Sequence, residues 1–468
     1  MNFENLLNKY DFLKLASKIA DDRKEEFYLI GGFVRDFILH RERNEMDFLI
    51  VGDALEFAME LSKALCVDKV IIYKNFGTAH FNYSNFILEF VGARKESYSR
   101  NSRNPVVERG TLDDDLNRRD FTINCLALSL NKNSYGNFID KFDGAEDIQK
   151  KIIRTPLNPS NTFDDDPLRI MRAFRFAAQL NFEIHPSVLM AAKEMADRLK
   201  IVSQERITEE FLKILSSPKP SIGLKMLFEN GVMKVIFPEL VNLGGIEQRK
   251  EYHHKDVFQH TCIVVDNIAL VTDNIWLRFT ALVHDIAKPQ TKKFIEGIGW
   301  SFHGHEELGA RMMETIFNRM KLPLTKLTYV EKLIRLHLRP IALVDEQVTD
   351  SAIRRLVVSA DEDLDDLIVL CRADITSKNP SKVNQYLENY NIVMQKVQDV
   401  REKDKLRAFQ SPVRGEEIMK VCNIPPSKLV GEIKLAIEEA ILDGKIGNNY
   451  EEAFEYFMNI KDGFTKKR

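Results

Sequence analysis

The sequence is short of cysteine, of any excess of one charge and of long apolar runs, and each shortage closes off a class of protein. Cys66, Cys125, Cys262, Cys371 and Cys422 are the only cysteines in 468 residues, odd in number and without a CxxC pair. They form no disulfide framework and are expected to stay reduced. Basic residues number 67 against 70 acidic ones, a net charge of −3, so nothing global advertises nucleic acid and any RNA-binding surface must be local. No apolar run approaches the roughly 18 to 20 residues that span a bilayer. The start, MNFENLLNKYDFLKL, has neither the basic opening nor the unbroken apolar core of a signal peptide. The expectation is a cytoplasmic protein without membrane contact. What is present is the balance of an ordinary globular chain, 44% hydrophobic and 29% charged, long enough for several domains of about 150 residues each.

The stretch Tyr28 to Gly52, YLIGGFVRDFILHRERNEMDFLIVG, organises the rest. Apolar residues 27–30 lead into Gly31-Gly32, then a short amphipathic segment with Arg35 and Asp36, then a second apolar run, 48–51, introduced by Glu45-Met46-Asp47. The pattern predicts strand, glycine turn, helix, strand. Alternation along a strand lets Glu45 and Asp47 point to one side and share a cation. The N–H groups of a turn and helix start favour anions, and oxygen ligands hold magnesium, so the stretch is a candidate site for metal and phosphate.

These residues resemble the nucleotidyltransferases of the DNA polymerase beta superfamily, and within it the bacterial tRNA CCA-adding enzymes and poly(A) polymerases. Gly31 to Asp36 stands as that family's GGxVRD motif, and Glu45-Met46-Asp47 stands where its DxD motif is expected, with Glu in place of the first Asp. Residues 54–65 predict a helix with Leu55, Ala58, Met59 and Leu65 along one side. Short β segments follow over 69–73 and 77–83, then a strand over 85–91 in which Glu89 interrupts an apolar run. The resemblance makes Glu89 a third carboxylate beside Glu45 and Asp47, and two dications need several anionic oxygens. Residues 92–117 read as a polar segment containing a mobile loop, its triplet Asp113 to Asp115 as a solvated turn or helix cap.

Arg118-Arg119-Asp120-Phe121-Thr122-Ile123-Asn124-Cys125-Leu126-Ala127 resembles the family motif RRDFTxNALA, with Cys125 in place of Ala. Two arginines can pair with triphosphate oxygens, and Asp120 and Asn124 with ribose hydroxyls. Further on, Asp164 to Phe176, DDDPLRIMRAFRF, resembles [ED]DPLRxxRAxRF. An Asp before Pro also makes a good helix cap. The resemblance implies that Asp166 and Arg169 read the Watson–Crick edges of CTP and ATP in place of a template, while Arg172 contacts phosphate. An Asp accepts from the amino group that C and A share, and an Arg donates to ring acceptors; G and U present the wrong pattern.

Seven of the ten histidines, His253, His254, His260, His284, His303, His305 and His337, lie close together in sequence. ALVHDIAKP and CRADITSK resemble the HD phosphohydrolase domain, whose matching metal ligands are His260, His284, Asp285 and Asp374, a set suited to manganese, nickel, iron or zinc. The tail predicts helices over 415–422, 425–442 and 450–459 and a basic terminus, Lys466-Lys467-Arg468, with tRNA contact implied by similar tails.

The fold expected is α+β: a nucleotidyltransferase head with a small mixed sheet (1–145), then an all-α neck (146–235), HD-containing body (236–400) and tail (401–468). The activity implied is CCA addition to tRNA from CTP and ATP. Glu45, Asp47 and Glu89 would hold two Mg2+, and Gly31, Gly32, Arg35, Arg118, Arg119, Asp120 and Arg172 would bind the nucleotide. Three alternatives remain open. Partial addition of C or A is one, and a phosphohydrolase acting on RNA or nucleotides through the HD site is another. The third, poly(A) polymerase, is opposed by Lys74-Asn75-Phe76-Gly77-Thr78 where bacterial ones carry a GRRF-type stretch.

Overall fold

The computed structural model describes residues 3–74, 77–99, 102–246, 256–297, 299–344, 348–377, 379–404 and 411–465. They fall in two compact units, Met1–Val241 and Asn242–Arg468. Asn75, Phe76, His253, His254 and Lys466-Lys467-Arg468 lie outside the described residues.

The first unit runs α1 (Phe3–Leu7), α2 (Asp11–Arg23), β1 (Glu26–Ile30), α3 (Gly32–Ile38), β2 (Glu45–Val51), α4 (Ala54–Ala64), β3 (Ile71–Tyr73), β4 (Thr78–Tyr83) and β5 (Phe86–Gly92). After the hairpin β6 (Arg94–Ser99) and β7 (Ser102–Arg109) come α5 (Leu112–Asn117), β8 (Leu126–Ser129) and β9 (Phe138–Asp140). The sheet order is β3-β4-β5-β2-β1-β8-β9. Its pairs are antiparallel except β2 with β5. Glu89 is therefore on an interior strand. Part of the segment expected to contain a loop instead pairs as the β6–β7 hairpin.

Aromatic packing sets which face of the sheet is free. Phe27 stacks on Phe48 at 5.3 Å, Phe48 on Phe90 at 5.1 Å and Phe90 on Phe81 at 5.3 Å, while Phe57 of α4 lies 4.8 Å from Phe27. Rings of this size dominate the burial of a small core. They also correct the expected face of α4: Ala54, Phe57, Ala58 and Leu61 are buried, whereas Met59 is 42% exposed. Side chains alternate along β2 and β5, so the residues beside Phe48 and Phe90, Asp47 and Glu89, are left on the opposite face.

The unit continues helical, through α6 (Gly144–Lys150), β10 (Ile152–Ile153), α7 (Pro159–Asp165), α8 (Leu168–Leu180), β11 (Glu183–Ile184), α9 (Pro186–Glu194), α10 (Gln204–Leu215), α11 (Pro220–Glu229), α12 (Val232–Ile236) and α13 (Pro238–Val241). The second unit comprises α14 (Val257–Ala269), α15 (Ile275–Val283), α16 (Lys288–Thr291), a hairpin of β12 (Lys293–Ile295) and β13 (Gly299–Ser301), α17 (His305–Met320), α18 (Leu327–Leu336), α19 (Asp350–Ala360), α20 (Leu364–Ala373) and α21 (Pro380–Asp404). Its tail helices α22 (Gly415–Cys422), α23 (Lys428–Leu442) and α24 (Tyr450–Thr465) close on their own core of Val413, Ile418, Ile433, Ile437 and Phe457. Among the described residues, no helix is long and apolar enough to cross a membrane.

Candidate active site

β1 ends at Ile30, and Gly31 turns the chain at φ 68°, a conformation that a side chain would strain. A Cβ there would meet Arg119 Nη1 at 2.9 Å, with Asp47 Oδ2 at 3.9 Å. The glycine lets backbone, guanidinium and carboxylate converge. In the register, Ile30 opposes Asp47 and Asp47 opposes Glu89. Glu45, two residues earlier on β2, shares their face. Burial pushes the Asp47 carboxyl up, with Arg43 and Arg119 pulling it back and Glu45 adding to the rise. Burial also raises Glu89, reinforced by the charges of Asp47 and Glu45. Neighbouring carboxylates on one face favour a bound cation, and their oxygen donors fit a hard divalent metal. Arg43 currently supplies part of that charge, donating to Glu45 Oε2 at 2.7 Å and to Asp36 Oδ2 at 3.3 Å.

The arginines singled out in the sequence form a scaffold around these acids, with Arg35 buried and Arg118, Arg119 and Arg172 half-buried. Arg35, 5% exposed, donates to both oxygens of Asp36 at 2.9 and 2.8 Å and to Asn124 Oδ1 at 2.7 Å. Arg118 and Arg119 both pair with Asp115, Arg119 at 3.0 and 2.8 Å. Asp120 accepts from the Phe121 N–H, from Asn124 and from Arg172 Nε at 2.7 Å. Arg35, Arg172 and Arg175 all lie over the Phe176 ring, at 5.1, 5.5 and 4.0 Å from its centroid. One aromatic ring thus holds three guanidinium groups.

Asp115 corrects the expectation of a solvated acidic triplet. Thr111 and Asp114 do form a capping box, but Asp115 is fully buried beneath the two arginines. Burial pushes its carboxyl up, yet Arg119 and Arg118 outweigh that and hold it below its ordinary value. Asp120 is likewise held low against burial, chiefly by Arg172. Removing one partner of a buried pair costs about 3 kcal/mol or more, so Asp115→Asn should destabilise the first unit by about that amount at pH 7. Both carboxyls are depressed, so their stabilisation is present above about pH 4 and is lost as pH falls. Asp115→Asn should accordingly flatten the acid limb of the stability profile. Urea midpoints at several pH values measure both effects, and an unchanged midpoint at pH 7 contradicts the clamp.

Asp166 sits between α7 and α8. Its Oδ1 accepts from the Leu168 N–H at 3.1 Å, a cap, while Oδ2 faces Arg206 at 3.4 Å. Arg169, buried at 8% exposure, donates to the Thr162 carbonyl at 3.3 Å and to the Arg118 carbonyl. It therefore ties α8 both to the residue that starts the second arginine motif and to α7.

In the second unit, His260, His284, Asp285 and Asp374 are brought together. His260 Nε2 lies 2.8 Å from Asp374 Oδ1, and His284 Nε2 lies 3.3 Å from Asp285 Oδ2 and 3.4 Å from Asp374 Oδ1. Burial opposes charge on His284, but Asp285 and Asp374 overcome it and push its pKa up to about 10, so a proton sits where a cation would fit. The sequence reading named His305 and His337 in the histidine cluster without making them ligands, and it missed Lys288, whose Nζ is 2.6 Å from Asp285 Oδ2. His305 opens α17 and His337 follows α18. Two antiparallel helices joined by a short turn return to the same end, and that was the signal available. Among the described residues, the His/Asp groups with ligand atoms within 4.8 Å of one another are both in this unit.

Residues 27–154 match the "Poly A polymerase head domain", 181–243 the "Probable RNA and SrmB- binding site of polymerase A" and 257–379 the "HD domain". The chain is 31% identical over 371 residues to the multifunctional CCA protein of Methylococcus capsulatus, covering 74% of this chain and 81% of that one. It belongs to the tRNA nucleotidyltransferases. The A-adding tRNA nucleotidyltransferase of Deinococcus radiodurans is also 31% identical, over 349 residues covering 73% of this chain and 77% of that protein. A tRNA nucleotidyltransferase solved with a primer tRNA and an incoming ATP analog is 26% identical, with a TM-score of 0.58 over 81% of this chain and 99% of that one. An apo CCA-adding enzyme shares the fold at a TM-score of 0.66, at 22% identity over 98% of this chain and 97% of that one. As a tRNA nucleotidyltransferase, the chain is a transferase whose α+β fold and HD domain agree with the expectation from sequence.

Proposed function

We propose that this nucleotidyltransferase adds C, C and A in turn to the 3′ end of tRNA in the cytoplasm, consuming CTP and ATP and releasing diphosphate. The observation that carries the reading is Asp47 opposite Glu89 on neighbouring parallel strands, at the glycine turn that Arg119 approaches. Glu45, Asp47 and Glu89 would hold magnesium, which when bound supplies Lewis-acid stabilisation of the triphosphate and acidifies the attacking hydroxyl. The Gly32 N–H and the Arg119 guanidinium receive phosphate oxygens, while the Gly31 N–H is held by the Leu126 carbonyl at 2.9 Å. Asp120, Asn124 and the arginines Arg35, Arg118 and Arg172 hold that turn and the sugar side of the site in place. Asp166 and Arg169 select the base. The HD cluster would bind a divalent metal of the manganese, nickel, iron or zinc kind and act on phosphate esters.

A second reading, addition of the terminal A alone, is favoured by the A-adding relatives, one of them from Aquifex aeolicus at 40% identity over 199 residues, 24% of that protein. The test is incubation of the chain with a tRNA transcript lacking CCA and all four nucleotides. A product three nucleotides longer supports the proposal, whereas an A tract of indefinite length would return the chain to poly(A) synthesis.

A further inference from the structure

One guanidinium of the head lies outside every motif singled out in the sequence. Arg43, between α3 and β2, donates through Nη2 to Glu45 Oε2 at 2.7 Å and through Nη1 to Asp36 Oδ2 at 3.3 Å. It rests against Gly32, where a Cβ would meet Arg43 Nη1 at 2.7 Å and Cζ at 2.9 Å. The preceding glycine seats Arg119 in the same way, with Nη1 2.9 Å from the Cβ position of Gly31. Each glycine of the turn thus carries one guanidinium.

The two pairs that hold Arg43 hold it loosely. Both oxygens of Asp36 already accept from Arg35, at 2.9 and 2.8 Å, so that carboxylate is answered without Arg43. The Glu45 side chain is 55% exposed, and an ion pair open to water to that degree contributes little. Arg43 Nε is buried and has no hydrogen-bond partner, and a buried donor left unmet points to an acceptor that the protein itself does not supply. A cation on Glu45, Asp47 and Glu89 would compete with the guanidinium for the Glu45 oxygens, because both need the same lone pairs. Released there, Arg43 stands beside the Gly32 N–H, on the path proposed for the triphosphate. Phosphate offers what the guanidinium lacks, several anionic acceptors on one centre.

We infer that Arg43 is a further triphosphate-binding residue, paired with Glu45 while the site holds no cation and turned onto the β- or γ-phosphate of the incoming nucleotide once a divalent cation takes that carboxylate. The inference rests on reading Glu45, Asp47 and Glu89 as the cation site. It ties the grip on the nucleotide to loading of the site. A triphosphate that arrives without a cation meets a guanidinium still held by Glu45.

Equilibrium dialysis of radiolabelled CTP against the full chain, without tRNA so that nothing turns over, reads the effect in binding alone. It is run in magnesium chloride and in EDTA, with unlabelled CMP as competitor. The wild-type chain should bind CTP more tightly in magnesium. There, Arg43→Gln should weaken CTP about ten-fold to a hundred-fold, the size of one charge-assisted hydrogen bond, and leave the CMP competition constant unchanged, because CMP has neither outer phosphate. An unchanged CTP constant in magnesium overturns the inference and leaves Arg43 as a partner of Glu45 alone. Equal losses for CTP and CMP overturn it as well, since the whole site is then disturbed. Wild-type CTP affinity that is the same in magnesium and in EDTA overturns the cation site together with the inference. Should Arg43→Gln fail to fold, Arg43→Lys carries the same test, keeping the charge and losing the fork, with a loss again confined to CTP.

Discussion

Asp47→Ala should reduce nucleotide incorporation at least about a thousand-fold while leaving the fold intact. Cation stabilisation of developing charge supplies several kcal/mol, and each 1.4 kcal/mol is a factor of ten in rate. The fold should not suffer, for a reason visible in the site. Asp47 is a partly buried acid whose carboxyl is pushed up by burial, and Glu45 adds to the rise. Removing it relieves repulsion and breaks no hydrogen bond on which the sheet depends. The thermal transition should therefore hold or rise as kcat collapses. Single-turnover incorporation of CTP together with a melting curve measures both. Undiminished incorporation would remove Asp47 from the metal site, and a collapse of the fold would make it a structural acid.

Asp166→Ser should lower the preference for CTP and ATP over UTP and GTP about ten-fold to a hundred-fold. A hydrogen bond to a charged group contributes roughly 1.5 to 3 kcal/mol, and the substitution removes Oδ2 while serine preserves a cap on the Leu168 N–H. The two oxygens of Asp166 are already divided in this manner, Oδ1 to the cap and Oδ2 toward Arg206. Asp166 is the cleaner probe of the pair. Arg169 is buried and holds the carbonyls of Thr162 and Arg118, so truncating it would leave buried acceptors unmet and disturb the fold together with selection. The measurement is kcat/KM for all four nucleotides. Wild-type selectivity in folded Asp166→Ser would return Asp166 to capping.

What could be read in the sequence was local. The glycine turn at Gly31, the strands on either side of α3 and the shared face of Glu45 and Asp47 follow from spacing, since a strand repeats every two residues. Glu89 could be paired with them only through the resemblance, because parallel neighbours are not adjacent in sequence. What escaped depends on which distant ends meet. Asp115 looked like one of three exposed acids, and only the arrival of Arg118 and Arg119 over α5 shows that it is buried between two cations. The motif arginines were expected at the triphosphate, yet Arg35 and Arg172 are held by Asp36 and Asp120. His305 and His337 begin and end a helical hairpin and meet at one end of it, 5.3 Å apart between ring centroids, but their spacing in sequence does not mark them as neighbours of His284. In α4 the apolar stripe was wide enough to allow two faces, and Phe57 decides between them by packing on Phe27.

The most direct test of the central claim uses three tRNA transcripts, ending before CCA, after the first C and after the second C, each incubated with one nucleotide at a time. The account predicts C on the first two, A on the third, and no U or G on any. Extension of the third transcript alone would show an enzyme that adds only the terminal A and would contradict sequential CCA addition by this chain.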